Sequence, residues 1–100
     1  MTEPKTLKQY YKYYLTLHKN KWTRRMHVLG QFATILFVAT VTTLKLWPFL
    51  VLSPLVVYPF AWSGHYFFEK NKPAAFSNPW MAKVSDWIMF KDWILGRIER

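Results

Sequence analysis

The protein has 100 residues, which is enough for one small domain. It contains no cysteine, which excludes disulfides, zinc–thiolate sites and thiol nucleophiles. Its formal net charge is +9, a balance that in a soluble protein would indicate nucleic acid or another acidic partner.

The distribution of the charges argues against nucleic acid. From Val28 to Phe68 the only ordinary charge is Lys45, and the other basic residues lie on either side of this apolar block. A nucleic-acid-binding domain would interleave basic and aromatic residues on one face. The pattern predicts an all-α integral membrane protein in contact with membrane lipid, with no nucleic acid as partner.

The first predicted element is an amphipathic helix over residues 5–19. An apolar stripe with helical spacing is formed by Leu7, Tyr10, Tyr11, Tyr14 and Leu15. The opposite side carries Lys5, Lys8, Lys12 and Lys19, so the helix suits a membrane surface. We interpret the tyrosines as packing residues rather than as a cofactor site. His18 continues the apolar stripe.

A turn is predicted near Asn20. His18 and His27 would point in opposite directions in one unbroken helix, because each residue rotates the chain by about 100°. If Asn20 or Thr23 caps a new helix, the two imidazoles can face one another.

The apolar block predicts a hairpin of two membrane spans, residues 23–45 and 47–69. As helices, their apolar stretches would rise by about 25 Å and about 33 Å, near the thickness of a bilayer core. Pro54 and Pro59 predict kinks in the second span, either for packing alone or to open a cavity. Because both flanks are basic, both termini are expected on the cytoplasmic side.

Residues 70–79 are predicted to form a loop and residues 80–97 an interfacial helix. Three tryptophans of this helix favour the lipid headgroup layer: Trp80, Trp87 and Trp93. Asp86 and Asp92 are interpreted as helix-surface groups, with Asp86 also a candidate for supporting a metal ligand through a hydrogen bond.

All three histidines are predicted to reach one depth, at the cytoplasmic boundary of the membrane. His27 begins the first span, His65 lies near the end of the second, and His18 points inward from the surface helix. Glu69 follows His65 by one helical turn. Imidazoles with a carboxylate are ligands of non-haem Fe(II), zinc or manganese. In the alternative interpretation the histidines are interfacial anchors and Glu69 pairs with Lys72.

Three stretches carry a resemblance to a known family: YYKYYLTLHKNKWTRRMHVLG, FAWSGHYFFEKNKPAAF and DWIMFKDWILG. They resemble a family of small membrane proteins, long catalogued as a domain of unknown function. This family includes a eukaryotic endoplasmic-reticulum dioxygenase that acts on 2-hydroxy fatty acids. The similarity covers about residues 7 to 97, and its most specific part is Gly64 to Pro73.

The resemblance implies an Fe(II)-dependent oxidative step that shortens a 2-hydroxy acid by one carbon. Carried onto this sequence, the implied catalytic residues are His18, His27 and His65, with Glu69, Asn71 and Pro73 completing the motif. The expected metal ligands are the three histidines and Glu69. An acyl substrate would keep its tail in lipid, and its carboxylate would meet Arg24. The membrane would be the inner membrane in a bacterium and the endoplasmic reticulum in a eukaryote.

Two alternatives stay open from the sequence. The chain is expected either to be such an oxygenase or to be a non-catalytic membrane protein that binds or organises anionic lipid. The second interpretation rests on the cationic N-terminal region and the interfacial helices, and in it Arg24 and Arg25 contact lipid phosphates. A homo-oligomer that builds its site between subunits is a further expectation.

Overall fold

A computed structural model describes residues 6–73 and 78–100, and all regular structure in these ranges is helical. The elements are α1 (Leu7–Thr16), α2 (Lys21–Thr43), a 3-10 helix (Trp47–Leu55), α3 (Val57–Gly64), a π-helical turn (His65–Glu69) and α4 (Pro79–Ile94). The predicted all-helical class is therefore confirmed for the described residues. Residue 5 of the predicted first helix and residues 74–77 of the predicted loop lie outside them.

The turn between α1 and α2 is built by capping. Thr6 starts α1 by accepting a hydrogen bond from the Gln9 backbone N–H, and α1 ends at Thr16. Asn20 starts α2 in the same way, because its side-chain oxygen accepts from the Trp22 N–H at 2.8 Å. The predicted cap at Asn20 is confirmed, and the chain changes direction between the first two histidines.

Helix α2 is, among the described residues, the one helix long and apolar enough by length and composition to cross a membrane. Much of its apolar surface is not covered by the rest of the chain. Leu36 is 68% exposed, and Leu29, Phe32 and Ile35 are about half exposed. The helix therefore buries one face against its neighbours and leaves a broad apolar face open.

The second apolar segment differs from the single helix predicted over residues 47–69. It divides into the 3-10 helix, the short α3 and the π-helical turn. Pro54 lies inside the 3-10 helix, where it removes a backbone donor. Pro48 lies in the first turn, where a missing N–H breaks no helical hydrogen bond, but Pro59 removes a second donor. The segment therefore cannot maintain a continuous ladder of α-helical hydrogen bonds.

Two glycines allow α2 and α3 to approach closely. A Cβ atom on Gly30 would lie 2.9 Å from a methyl of Val57, and one on Gly64 would lie 3.3 Å from the Cα of Thr23. The contacts pair an early residue of α2 with a late residue of α3, so the two helices run antiparallel. This crossing brings the beginning of α2, with His27, next to the end of α3 and His65.

Helices α1 and α4 pack through the tyrosine stripe. Tyr10 and Tyr14 form a buried cluster with Ala82 and Met89 of α4. At its edge the Tyr11 hydroxyl donates to the Asp92 carboxylate at 2.7 Å. The interpretation of the tyrosines as packing residues is confirmed, and the lysine side chains at positions 8, 12 and 19 are exposed on the other side of the chain. This packing fixes the position of His18 relative to α4.

We expect Gly30→Val to destabilise the protein by about 1–3 kcal/mol, because the new side chain overlaps Val57 and a backbone carbonyl. Thermal unfolding followed by circular dichroism in detergent would measure the loss. Ala39→Val, at an exposed position of the same helix, is the matched control. Equal unfolding temperatures for the two variants would contradict the close helix crossing.

Candidate metal centre

The three histidines meet in the interior of the protein. His18 follows α1, His27 lies in the second turn of α2, and His65 begins the π-helical turn. Their exposed fractions are 0%, 4% and 1%. One nitrogen from each ring lies within 4.8 Å of the other two, and the ring centroids of His18 are 4.5 Å from those of both partners. The predicted proximity of the three imidazoles is therefore present within one chain.

The ring of His18 is held by α1. Its Nδ1 lies 2.7 Å from the Tyr14 carbonyl oxygen, which can only accept, so Nδ1 carries the proton. The ring also stacks on the Tyr14 phenol, with centroids 4.0 Å apart. Its Nε2 is buried and has no hydrogen-bond partner among the described residues. His18 thus presents an unused lone pair to the interior.

The ring of His27 is held by α4. Its Nδ1 lies 3.1 Å from a carboxylate oxygen of Asp86, which is 5% exposed. A carboxylate is an acceptor, so this contact places the proton on Nδ1 and the lone pair on Nε2. The Tyr14 hydroxyl lies 3.5 Å from the same nitrogen and adds a weaker contact.

The ring of His65 is held by the chain that follows the π-helical turn. Its Nδ1 lies 2.6 Å from the side-chain oxygen of Asn71. The orientation of this amide is fixed, because its nitrogen donates to the Leu17 carbonyl at 3.0 Å. Asn71 must therefore accept from His65, and Nε2 of His65 is again the nitrogen with the free lone pair.

The three anchored rings direct their acceptor nitrogens at one another. Nε2 of His27 and Nε2 of His65 are 3.3 Å apart, although neither carries a proton in the neutral rings. Two lone pairs at this distance repel each other unless a proton or a metal ion lies between them. Nitrogens bound about 2.1 Å from one metal ion stand about 3.0–3.4 Å apart. His27 and His65 have this separation, and a nitrogen of His18 lies within 4.8 Å of both, so the three histidines could hold a metal ion.

Burial keeps His18 in the form that binds metal. Removal from water lowers the pKa of His18 well below its ordinary value, and the neighbouring His27 and His65 act in the same direction. Burial also raises the pKa of Tyr14, with the Asp86 carboxylate as a further cause. A neutral His18 imidazole and a protonated Tyr14 phenol are consequently the stable forms at neutral pH. Neutral imidazole is the form that ligates a metal.

A small cavity of about 20 Å³ lies beside the three rings. Its wall is completed by Asp86, the aromatic rings of Tyr58 and Trp62, and Lys83. A space of this size holds one water molecule or one ion. Three protein ligands leave coordination positions free for small molecules, as catalytic rather than structural metal sites require.

Glu69, predicted as a fourth ligand, lies in a different contact. Its carboxylate accepts a hydrogen bond from the Asn20 backbone N–H at the beginning of α2. Helix N-termini attract carboxylates because their first N–H groups lack partners and the helix dipole is positive there. Within the part of the chain that the structure describes, the cluster of metal-ligating groups consists of the three histidines.

Arg24 and Arg25 also use their donors away from the cavity. Arg24 donates to the His18 carbonyl at 2.6 Å and to the Glu99 carbonyl, while Arg25 donates to the Arg100 carbonyl at 2.8 Å. Neither residue is among the described residues that line the cavity. Arg24 therefore supports the turn that carries His18.

Asp86 and Asn71 are the supporting residues of the centre. The interpretation of Asp86 as a helix-surface group is wrong, since the packing of α4 against α1 buries it, and the alternative interpretation as a partner of a ligand fits its contact with His27. Asn71 was included only as a motif residue, without a role. No role was predicted for Lys83 from the sequence. Its position three residues before Asp86 places both residues on the same helix face, and this spacing was the signal that could have indicated one.

The fold and the centre define the class of the protein: an all-helical chain, over the described residues, with three buried histidines that could hold a metal ion. A family model described as 2-hydroxy-palmitic acid dioxygenase Mpo1-like matches residues 4–98. The chain belongs to this family. No curated protein and no solved structure matches the chain.

We expect Asp86→Ala to weaken metal binding about 10- to 100-fold, because His27 loses the acceptor that fixes its tautomer and orientation. Competition with a chromophoric chelator would measure the affinity. Asp92→Ala is the matched control, since Asp92 is a carboxylate of the same helix that bonds Tyr11 instead. Equal affinities in the two variants would exclude the supporting role of Asp86.

Proposed function

We propose that the protein is an Fe(II)-dependent dioxygenase that acts on 2-hydroxy fatty acids at the cytoplasmic face of a membrane. The observation that carries the proposal is the set of three buried imidazoles, each anchored through Nδ1 and grouped within metal-binding reach. The family of the chain supports the reaction class and the substrate class. Imidazole ligands suit iron as well as zinc, copper and nickel, so the choice of iron rests on the family.

In this proposal His18, His27 and His65 hold the metal. Asp86, Asn71 and the Tyr14 carbonyl keep each Nδ1 protonated, so that every Nε2 stays available. The bound metal would supply the binding and activation of O₂, which none of these side chains provides. One O₂ balances the conversion of a 2-hydroxy acid into the acid one carbon shorter, CO₂ and water. The aromatic walls limit access of bulk water to the reacting carbons.

The membrane placement is part of the proposal. Exposed apolar side chains continue from α2 onto the 3-10 helix, where Val51 is 76% exposed and Trp47, Phe49 and Leu55 are at least half exposed. An apolar surface of this extent is unfavourable in water and suits lipid. With α2 and the antiparallel second segment as a hairpin in the bilayer, the basic flanks place both termini on the cytoplasmic side. His27 and His65 then lie near that boundary.

A second candidate is a non-catalytic protein that binds anionic lipid. It is favoured by the exposed lysines of α1, at positions 8 and 12, and by Lys19 after it, which have no role in the histidine centre. Basic residues near a membrane contribute about 1 kcal/mol each toward binding an anionic surface. In this candidate the lysines carry the function and the histidines are dispensable.

We expect His65→Ala to lose Fe(II) binding and with it the O₂-dependent shortening of a 2-hydroxy fatty acid, since one of three ligands is removed. Metal analysis of anaerobically purified protein and chromatography of the products would test both losses. Replacing Lys8, Lys12 and Lys19 by Gln is the comparison, and it should leave metal content and product formation intact.

The opposite pattern would support the lipid-binding candidate. If wild-type protein takes up no Fe(II) under anaerobic conditions and only the lysine variant loses binding to anionic vesicles, the dioxygenase proposal is excluded.

A further inference from the structure

A large apolar groove of about 740 Å³ lies next to the histidine cavity. It runs between the second half of α2, the end of the 3-10 helix and α4. Its wall includes Ile35, Val38, Ala39, Pro54 and Trp87. The hydroxyl of Thr34 donates to the Gly30 carbonyl and that of Ser53 to the Leu50 carbonyl, so these side chains add little polarity. The volume is within the range of about 300–1,000 Å³ that is typical of ligand sites.

Lys83 lies at the junction of the two spaces. It lines both the groove and the histidine cavity, and it is the one Lys or Arg among the described residues lining either. Its Nζ donates to the Pro54 carbonyl at 2.5 Å and lies 4.7 Å from the centroid of the Tyr58 ring. An ammonium group has three donors, so two remain for a ligand.

We propose that Lys83 binds the carboxylate of the fatty-acid substrate and that the groove between α2 and α4 binds its acyl tail. The inference rests on the proposed function and adds to it a residue and a path for the substrate. Because a 2-hydroxy acid carries its hydroxyl on the carbon next to the carboxylate, anchoring at Lys83 presents the C1–C2 bond to the histidine cavity.

The electrostatics favour an anion at this position. Burial lowers the pKa of Lys83 from its usual 10.5, and the Asp86 carboxylate opposes the effect. Asp86 also bonds His27, so the lysine has no carboxylate partner of its own among the ion pairs of the described residues. A partly desolvated ammonium is stabilised by a second carboxylate, and a substrate supplies one.

The shape of the groove favours an acyl chain over a protein partner. From Thr34 to Thr43 it extends about 13 Å along α2, and it ends at a cation and the small cavity beside the histidines. A tail with one terminal carboxylate matches an apolar channel with one terminal ammonium. Arg24 and Arg25, the residues predicted from the sequence for this role, donate to backbone carbonyls outside either space.

The carboxylate half of the proposal is tested by equilibrium binding in lipid nanodiscs. The two probes are a long-chain 2-hydroxy acid and the 1,2-diol of the same length, which lacks the carboxylate. Lys83→Met should weaken binding of the acid about 10- to 100-fold and change that of the diol by less than about twofold. Lys83→Arg should restore most of the affinity for the acid. The control is Lys91→Met, at an exposed lysine of the same helix.

If Lys83→Met weakens binding of the acid and of the diol equally, Lys83 has a structural role only and the inference is overturned. Unchanged binding of the acid would overturn it as well. The measurement is repeated on His65→Ala protein, which lacks one metal ligand. If preferential binding of the acid over the diol still depends on Lys83 in the His65→Ala protein, the carboxylate site is supported. That holds even where no dioxygenase activity is found.

The tail half is tested by an acid that carries a photoreactive diazirine near its methyl end. It should label the α2 peptide that contains Thr42, and Val38→Trp should suppress the labelling because the indole fills the groove. Leu36→Trp, at a position of α2 outside the groove wall, should label like the wild type. Equal labelling by a diazirine phospholipid would identify bulk lipid as the occupant and overturn the proposal. A cross-link between two chains at this face would overturn it in favour of a second copy.

Discussion

Three imidazoles buried side by side place a hydrogen-bonding constraint on the rest of the structure. Each ring must find an acceptor for its one proton, since a buried donor without a partner costs about 1–3 kcal/mol. The chain supplies three different acceptors from three different places: a carbonyl of α1, a carboxylate of α4 and an amide after the π-helical turn. Satisfying the protons at Nδ1 leaves the Nε2 lone pairs facing one another, an arrangement that a metal ion stabilises.

The irregular parts of the fold are the parts that make this arrangement possible. Asn20 caps α2 after a turn, so His18 and His27 can meet although they lie nine residues apart on either side of it. Glu69 bonds the same turn from the other side and thereby ties the end of the second segment to the beginning of α2. Asn71 links His65 to the Leu17 carbonyl. The polar groups of one short turn therefore connect all three histidine-bearing segments.

Residue spacing and local preferences in the sequence predict some of these features and not others. The turn at Asn20 and the meeting of His18 with His27 follow from helical rotation and capping preferences. The division of residues 47–69 into a 3-10 helix, α3 and a π-helical turn does not follow in the same way. A proline kink and a 3-10 helix differ in which carbonyl groups find hydrogen-bond partners elsewhere in the fold. Pro54 frees the Leu50 carbonyl, which accepts from the Ser53 hydroxyl, and the Pro54 carbonyl itself accepts from Lys83 of a distant helix. Glu69 and Arg24 show the same limit. Each was expected to bind a metal or a substrate through its charge, but each forms a hydrogen bond with a nearby backbone group instead.

In helix α4, one buried face carries both residues of the candidate site and residues that pack on α1. Its residues Ala82, Ser85, Asp86 and Met89 face the interior, and Lys83 reaches the edge of the same face. The tyrosines of α1 settle which face of α4 is buried, because they pack on Ala82 and Met89. That packing carries Asp86 to His27 and Lys83 to the mouth of the groove together. Asp86, the partner of His27, and Lys83, the proposed cation for the substrate, lie three residues apart on one helix. The same hydrophobic contact thus fixes both, so a shift of α1 would displace both at once.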